Sequence, residues 1–224
     1  MYEKYIKRLL DIVLALLALS VLSPLLLVLI AVGAVKMKGN PFFCQLRPGK
    51  DEKIFRMVKF RSMTNACDSE GNLLPDEKRL TNYGRVLRAK SIDELPELIN
   101  ILCGQMSFVG PRPQLVRDMV FMSAEQRKRH NVRPGLTGLA QVSGRNALWW
   151  DKKLQIDLEY ISEITFRKDV QIIFQTAKVV LLGGDSAEET DITDDYGDFL
   201  LKHGEISQNE YEEKMAAAGE LLGV

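Results

Sequence analysis

Uncharged, mostly apolar residues run without interruption from Ile12 to Val35 near the start of the chain. As a straight α-helix this run of 24 residues would be about 36 Å long, enough to cross a hydrocarbon core of about 30 Å. The run is too long for a signal peptide, and no cleavage site of small residues follows it. We therefore predict an uncleaved membrane anchor.

The middle and the flanks of this anchor leave two membrane paths open. Pro24 cannot donate a backbone hydrogen bond to Ser20, so the helix should kink or break at Ser23 and Pro24. Basic residues lie on both sides of the run, namely Lys4, Lys7 and Arg8 before it and Lys36 and Lys38 after it. A re-entrant hairpin keeps both flanks on the cytoplasmic side, which positive charge prefers. A spanning helix is also possible, because proline kinks occur in true spans.

Apolar positions in the rest of the chain recur mainly at helical spacing. Residues 54–60 form a short strand or a buried run, and helices are predicted over residues 95–102, 115–129, 151–164 and 170–182. The predicted face of the 95–102 helix contains Leu95, Leu98, Ile99 and Leu102. Tryptophans and basic residues on such helices favour a membrane interface, and ordinary core packing explains the same pattern. The expected fold class is α+β and mainly α-helical.

Charge is distributed unevenly along the 224 residues, although the net charge is zero. Residues 1–184 contain 28 basic and 18 acidic side chains, whereas residues 185–224 contain 2 and 12. Zero net charge excludes a globally basic nucleic-acid binder, and the basic body beside a membrane anchor suggests anionic headgroups or phosphorylated substrates. The three cysteines lie far apart and are expected to be buried, reduced thiols, and two histidines make a zinc site improbable.

Two adjacent carboxylates, Asp93 and Glu94, precede a predicted helix and follow the basic residues Arg85, Arg88 and Lys90. One interpretation is a structural cap, because Ser91 and Glu94 fit a capping box and Asp93 could be an N-cap. The other is a site, since carboxylates beside a phosphate-attracting helix start can bind Mg²⁺ or attack phosphorus. The motif alone leaves both open.

Two later loops carry arginines that suit phosphate binding. Arg112 lies between Pro111 and Pro113, which would hold its guanidinium at low entropy cost. Arg145 follows a glycine-rich loop that permits close backbone approach. Neither loop matches a Walker or Rossmann pattern, so standard nucleotide-binding folds are not indicated.

Taken together, these motifs resemble those of the bacterial sugar transferases, the monotopic phosphoglycosyl transferases, over roughly residues 3–183. The chain is similar to the short form of the family, including the bacillosamine-phosphate transferase type. The motifs that carry the resemblance are Ser23-Pro24, Gln45-x-Arg47-x-Gly49, and the segments 59–63, 91–100, 106–113, 133–138 and 141–146.

The resemblance implies a re-entrant membrane helix broken at Ser23 and Pro24, with both ends on the cytoplasmic face of the bacterial inner membrane. Amphipathic interfacial helices and a small catalytic domain would follow. The expected parts are a membrane hairpin (1–38), a phosphoglycosyl transferase domain (39–184) and an acidic tail (185–224), for which the resemblance gives no function. The oligomeric state stays open, with a homodimer among the alternatives.

The resemblance also implies a reaction, the first membrane step of glycoconjugate assembly. A sugar 1-phosphate would move from a UDP-sugar to polyprenyl phosphate, expected to be undecaprenyl phosphate, and UMP would be released. The first choice of donor is an N-acetylated or diacetamido-trideoxy hexose, and hexoses such as glucose or galactose are the second.

Individual roles follow from the same resemblance. Asp93 would be the nucleophile that forms an aspartyl-phosphosugar and would bind Mg²⁺, and Glu94 would act as acid or base. The residues expected to bind substrate phosphate are Lys59, Arg88, Arg112 and Arg145. Asp157 stands where the family carries an acidic residue near the active site.

Three departures from the family pattern concern the donor pocket rather than the carboxylate pair: Gln105, Leu139 and Ser143. Two other functions compete with the enzyme. A membrane-tethered nucleic-acid regulator would explain the basic body, but no basic helix or RNA-binding aromatic pattern is present. An inactive scaffold is the second, and Mg²⁺-dependent release of UMP separates the enzyme from both.

Overall fold

The chain folds into two compact units in a computed structural model, which describes residues 2–144, 149–182 and 194–223. The first unit contains Met1–Leu9, Leu46–Arg56 and Gly104–Val224, and the second contains Leu10–Gln45 and Met57–Cys103. Helices dominate the described residues, and two small sheets accompany them. The predicted class, mainly α-helical with some β-structure, is confirmed.

The uncharged run forms most of helix α1 (Lys7–Lys36), which continues a π-helical turn at Tyr2–Ile6. Together they make 35 helical residues that include a strongly apolar 18-residue window. By length and composition this helix is able to cross a membrane, and 6% of that window is buried, unlike the core helix of a soluble protein. The helix is therefore consistent with membrane association.

Helix α1 continues through Ser23 and Pro24, and the predicted kink or break at these two residues stays a prediction. Proline removes the N–H that would bond to the carbonyl of Ser20. The Ser23 hydroxyl donates to that carbonyl instead, over 2.8 Å. The freed acceptor is thus satisfied locally, which lets helical structure persist. The re-entrant path stays a prediction.

The second unit carries most of the strands β1 (Phe42–Pro48) and β2 (Ile54–Phe60), which pair in one sheet and are both cut by the unit boundary. The strand predicted over residues 54–60 is confirmed. Three helices and a 3₁₀ turn follow: α2 (Asp76–Arg79), α3 (Asn82–Ala89), the turn Ile92–Glu94 and α4 (Glu97–Leu102).

The apolar face predicted for residues 95–102 is wrong in part. Leu98 and Ile101 are buried, whereas Ile99 is 48% exposed. Helix α4 begins at Glu97 after the 3₁₀ turn, and its buried positions are 97, 98, 100 and 101 and not the predicted ones. A few residues' delay in the helix start rotates which side chains face the core.

The first unit is built around a parallel pair of short strands, β3 (Ser107–Val109) and β4 (Gly135–Thr137), with Ser107 opposite Gly135. Three helices follow them: α7 (Leu139–Ser143), α8 (Trp150–Ser162) and α9 (Phe166–Leu182). Val109, Tyr160 and Ile172 form the centre of this core. The helices predicted over residues 151–164 and 170–182 are confirmed as α8 and α9.

The single helix predicted over residues 115–129 is wrong. The segment forms α5 (Val116–Met119), α6 (Ala124–Arg127) and the 3₁₀ turn Lys128–Asn131. Ser123 explains the division, because its hydroxyl accepts from the Gln126 N–H while the Gln126 side chain accepts from the Ser123 N–H. This capping box starts a new helix inside the predicted one.

The C-terminal helices α10 (Tyr196–Lys202) and α11 (Gln208–Leu222) also belong to the first unit. The prediction of buried cysteines is wrong, because Cys44, Cys67 and Cys103 are all exposed. They lie on β1, in a loop and at the end of α4, at positions that face away from the core.

Candidate active site

The predicted carboxylate pair lies in the second unit beside a lysine from β2. The Nζ atom of Lys59 is 2.8 Å from Glu94 Oε1 and 3.2 Å from Glu97 Oε1. Glu97 is buried, and the other two side chains are less than one-fifth exposed. One ammonium therefore bridges two carboxylates in a sheltered position, where such a contact is stronger than on an open surface.

The turn that carries Asp93 and Glu94 is not a helix cap. Ser91 has a left-handed backbone (φ 52°, ψ 24°), and no side chain caps the 3₁₀ turn Ile92–Glu94. The capping-box interpretation is therefore wrong. A non-glycine residue in the left-handed region is uncommon and concentrates at functional sites, so the backbone favours the interpretation as a site.

Arg88, in the last turn of α3, is held by Ser62. Its Nε donates to Ser62 Oγ over 2.9 Å, and Ser62 is itself buried. Helix α3 approaches the Ser62 backbone so closely that a Cβ on Gly84 would collide with it. Thr81 caps the same helix by accepting from the Gly84 N–H over 2.9 Å. The packing of α3 on Ser62 thus positions the helix, and the hydrogen bond to Ser62 Oγ orients the guanidinium of Arg88.

The surroundings of Asp93 act on its ionisation in opposite directions. Burial raises the pKa of its carboxyl, and the negative charge of Glu94 raises it further. The charges of Lys59 and Arg88 act in the opposite direction and lower the same pKa. A divalent cation beside Asp93 would favour the ionised form that a nucleophile requires.

Within the described parts of the chain, no three His, Cys, Asp or Glu side chains are placed to share a metal ion. Mg²⁺ often takes one or two protein carboxylates and completes its shell with water and substrate phosphates. Asp93 and the neighbouring Glu94, whose charge raises the pKa of Asp93, fit that kind of site. The residues present are therefore compatible with Mg²⁺ that arrives with a phosphorylated substrate.

Arg112 lies in the first unit with its side chain exposed between buried Pro111 and Pro113. Its carbonyl accepts a hydrogen bond of 2.6 Å from the Nη2 atom of Arg129. Arg129 also donates to Asp157 Oδ2 from Nε (3.0 Å) and Nη2 (2.6 Å), and both side chains are almost fully buried. Asp157 thus acts on the Arg112 loop through Arg129.

Lys153 on α8 is a further cation near Arg112, and the sequence analysis missed it. Burial lowers the pKa of its ammonium, and the positive charge of Arg112 lowers it further. Two neighbouring cations of this kind form a favourable place for an anion. Its position four residues before Asp157, one turn away on the same helix, was the available sequence signal.

Four of the predicted site residues therefore lie in one cluster of the second unit, namely Lys59, Arg88, Asp93 and Glu94. Arg112 and Asp157 lie in the first unit and are linked there through Arg129. Arg145 lies outside the described residues. Glu97 was not predicted from the sequence, and no motif there marks its contact with Lys59.

Comparisons with known proteins give a consistent result. Residues 2–183 match the family model described as bacterial sugar transferase. The uncharacterized sugar transferase EpsL of Bacillus subtilis (strain 168) is 46% identical over 79% of this chain and 88% of its own length.

Two relatives are named for a reaction. The UDP-glucose:undecaprenyl-phosphate glucose-1-phosphate transferase of Klebsiella pneumoniae is 40% identical over 76% of this chain and 39% of its own length. The UDP-N-acetylgalactosamine-undecaprenyl-phosphate N-acetylgalactosaminephosphotransferase of Aeromonas hydrophila is 36% identical over 80% of this chain and 44% of its own length. The chain thus spans less than half of each of these two proteins.

Proposed function

Because the chain belongs to the bacterial sugar transferase family, we propose that it transfers a sugar 1-phosphate from a UDP-sugar to polyprenyl phosphate and releases UMP. The names of the Klebsiella and Aeromonas relatives support this type of reaction. The observation that carries the proposal is the pair Asp93 and Glu94, which lies between the charges of Lys59 and Arg88 and caps no helix.

The proposed chemistry consists of two displacements at one phosphorus. A carboxylate oxygen of Asp93 attacks the phosphorus that carries the sugar, the bond to the bridging oxygen breaks, and UMP leaves with that oxygen. An oxygen of polyprenyl phosphate then attacks the same phosphorus, the aspartyl bond breaks, and the carboxylate is regenerated. A covalent intermediate of this kind means that donor and acceptor need not be bound together.

The remaining residues neutralise charge and place groups. Arg88 and Lys59 supply fixed positive charge beside Asp93, which phosphoryl transfer requires. Mg²⁺, when bound with the donor, would neutralise its diphosphate. Glu94, held by Lys59, would act as acid or base, although a phosphate monoester with a second pKa of about 6 is already largely ionised at neutral pH. Arg112 and Arg145 would bind phosphate oxygens.

The decisive experiment measures UMP release by the detergent-purified protein. The reaction contains Mg²⁺, undecaprenyl phosphate and one UDP-sugar at a time, and Asp93→Asn is compared with Asp76→Asn, an exposed aspartate of the same unit. Loss of the nucleophile should reduce the rate by about a thousandfold or more, and the control should keep it. A fully active Asp93→Asn protein contradicts the assigned nucleophile, and no release with any donor contradicts the reaction.

The donor sugar is a separate proposal with two candidates. Our first choice is an N-acetylated or diacetamido-trideoxy hexose, and the N-acetylgalactosamine relative supports the N-acetylated class. A hexose is the second candidate, supported by the glucose relative. The ratio of kcat/KM values between UDP-N-acetyl sugars and UDP-hexoses decides between them.

For the membrane we propose a re-entrant hairpin at the cytoplasmic face of the bacterial inner membrane. The basic flanks on both sides of the uncharged run support this path. Lys4→Cys and Lys38→Cys, each in a background with Cys44, Cys67 and Cys103 replaced by serine, report the two ends. A membrane-impermeant maleimide added to intact spheroplasts should label neither end until lysis, whereas labelling of one end shows a span. The homodimer is a separate proposal, and light scattering of the detergent-purified protein tests it by measuring the mass of the particle.

A further inference from the structure

The C-terminal helices lie beyond residue 183, where the family match ends, yet they complete a hydrophobic core of the first unit. Their contribution is Tyr196, Phe199 and Leu200, which pack with four buried residues of the preceding chain: Phe121, Met122, Trp150 and Leu154. The indole N–H of Trp150 donates to the carbonyl of Asp194 over 3.1 Å. Residues 194–223 of the acidic tail are therefore a packed part of the unit.

A buried carboxylate connects this segment to the loop of Arg112. Asp118 is 1% exposed. Its Oδ1 accepts from the Tyr196 N–H and its Oδ2 accepts from the Leu115 N–H, both over 2.9 Å. Leu115 ends the loop that contains Arg112, so one side chain joins the loop to the start of α10.

Contacts around Asp118 reinforce the same junction. The guanidinium of Arg117 forms an ion pair with Asp195 and lies 3.6 Å from Asp198. The Tyr211 hydroxyl donates to Asp198 over 2.5 Å, which connects α11 to α10. Charge and hydrogen bonds thus act together with the apolar contacts to keep the segment on α5.

Other hydrogen bonds also hold the backbone of the Arg112 loop. Among them, Arg129 donates to the carbonyl of Arg112 over 2.6 Å, and Arg47 donates to the carbonyl of Pro113 over 3.2 Å. Asp118, which accepts from the Leu115 N–H, also accepts a hydrogen bond from the C-terminal segment. Loss of the segment would expose Asp118 and loosen its hydrogen bond to Leu115.

We propose that residues 194–223 are a positioning element that orders the Arg112 loop and thereby sets the affinity for the diphosphate of the nucleotide-sugar donor. This inference rests on the proposed function, in which Arg112 binds phosphate oxygens, and it assigns those oxygens to the donor. The segment touches no reacting atom in this scheme and acts through Asp118. It should therefore change the KM for the donor and leave the KM for polyprenyl phosphate unchanged.

The test is a bulky substitution, made in the full chain, at a contact between the segment and the residues on which it packs. A Cβ on Gly197 would collide with the ring of Phe121, so Gly197→Val should lift α10. Ala217→Val adds similar volume on the exposed side of α11 and is the matched control. Asp118→Asn is the second variant, because it weakens the junction without adding volume.

Both test variants should raise the donor KM by about tenfold, the size expected for loss of a buried hydrogen bond, with kcat and the acceptor KM within about twofold. Amide hydrogen exchange at residues 115–118, measured without substrate, should become faster in both variants and not in the control. The proposal is overturned if amide exchange becomes faster in α10 while exchange at residues 115–118 and the donor KM stay unchanged. A parallel rise in the KM values of donor and acceptor overturns it as well.

The two readouts separate this inference from the proposed function. If the unmodified protein releases no UMP, the proposed function fails, and amide exchange still decides whether the segment orders the loop. If UMP is released and the exchange is unchanged by both variants, the reaction stands and the positioning role is refuted.

Discussion

At the scale of single residues, Lys153 has the features of a second contact for a phosphate bound at Arg112. Burial and the charge of Arg112 both lower the pKa of its ammonium, and a bound anion would offset both effects. Lys153→Gln should raise the KM for the UDP-sugar by about tenfold through loss of a charge-assisted contact, and Lys153→Arg should retain part of the affinity. Steady-state kinetics with Lys152→Gln, an exposed neighbour, provide the control. Equal effects of the two glutamine variants would contradict the prediction.

A buried histidine predicts the pH dependence of stability. Burial, together with the charge of Arg129, lowers the pKa of His130 to about 4. Between about pH 6.5 and about pH 4 the unfolded chain therefore binds a proton that the folded chain does not. The free energy of unfolding should fall as the pH falls through this window, by at most about 1.4 kcal/mol per pH unit from this group.

Thermal unfolding at pH 7 and pH 5 measures this effect. The difference in Tm between the two pH values should be smaller for His130→Asn than for the unmodified protein. His203→Asn, which changes the exposed histidine, should keep the full difference. An unchanged difference in His130→Asn would show that other groups carry the pH dependence.

The same scale shows what the sequence predicts about the candidate site and what it does not. Motif order located Lys59, Arg88, Asp93 and Glu94, which the structure clusters in one unit. The left-handed backbone of Ser91 was not predictable, because the same letters fit a capping box and nothing local to the chain excludes it. Glu97 became recognisable only when folding brought the β2 lysine against the turn.

At the scale of elements, long periodic segments were predictable and a segmented one was not. Helix α8 buries one face over three turns, and α9 carries apolar residues over four turns although it buries few of them, so the helical pattern of both dominates local signals. Residues 115–129 have a comparable apolar content, but Ser123 and Gln126 cap a new helix within it. A capping box is short and common, so its outcome depends on tertiary packing that the sequence pattern does not contain.

The connection between α8 and the Arg112 loop predicts a large stability effect. Asp157→Ala leaves the buried guanidinium of Arg129 without its carboxylate, which should lower the free energy of unfolding by about 3–5 kcal/mol. Asp151→Ala removes an exposed aspartate at the start of the same helix and is the control. Chemical denaturation in detergent measures both variants. If Asp157→Ala lowers the free energy of unfolding by no more than Asp151→Ala does, the ion pair contributes little to stability.

At the scale of the whole molecule, both ends of the described chain pack within the first unit. The C-terminal segment, which by composition is an acidic appendage, packs through Tyr196, Phe199 and Leu200. The net charge of the segment does not reveal this packing, because three apolar residues within a short helix decide where it packs. The N-terminal end is held differently, by a buried carboxylate that accepts hydrogen bonds from several donors.

That carboxylate, Asp169, fastens the start of the membrane helix to the rest of the unit. Its Oδ2 accepts from the Tyr2 hydroxyl (2.6 Å) and from Lys7 Nζ (2.5 Å), and its Oδ1 accepts from the Tyr160 hydroxyl (2.7 Å). The side chain is 5% exposed. Because three donors converge on one buried group, its removal leaves all of them without this acceptor at once.

Asp169→Ala should therefore lower the free energy of unfolding by about 3–5 kcal/mol, with a fall in Tm of about 2–4 °C for each kcal/mol in a chain of this size. Lys7→Met keeps the apolar stem and removes the charge, so it should reproduce part of the loss. Glu163→Ala, an exposed acidic residue between α8 and α9, is the control for thermal unfolding in detergent. Amide hydrogen exchange separates a local role of Asp169 from a global one. In Asp169→Ala, the exchange rate at residues 2–9 should increase more than the rate in the rest of the unit. If exchange at residues 2–9 is unchanged while Tm falls, Asp169 stabilises the α8 and α9 core through Tyr160 and does not hold the membrane helix.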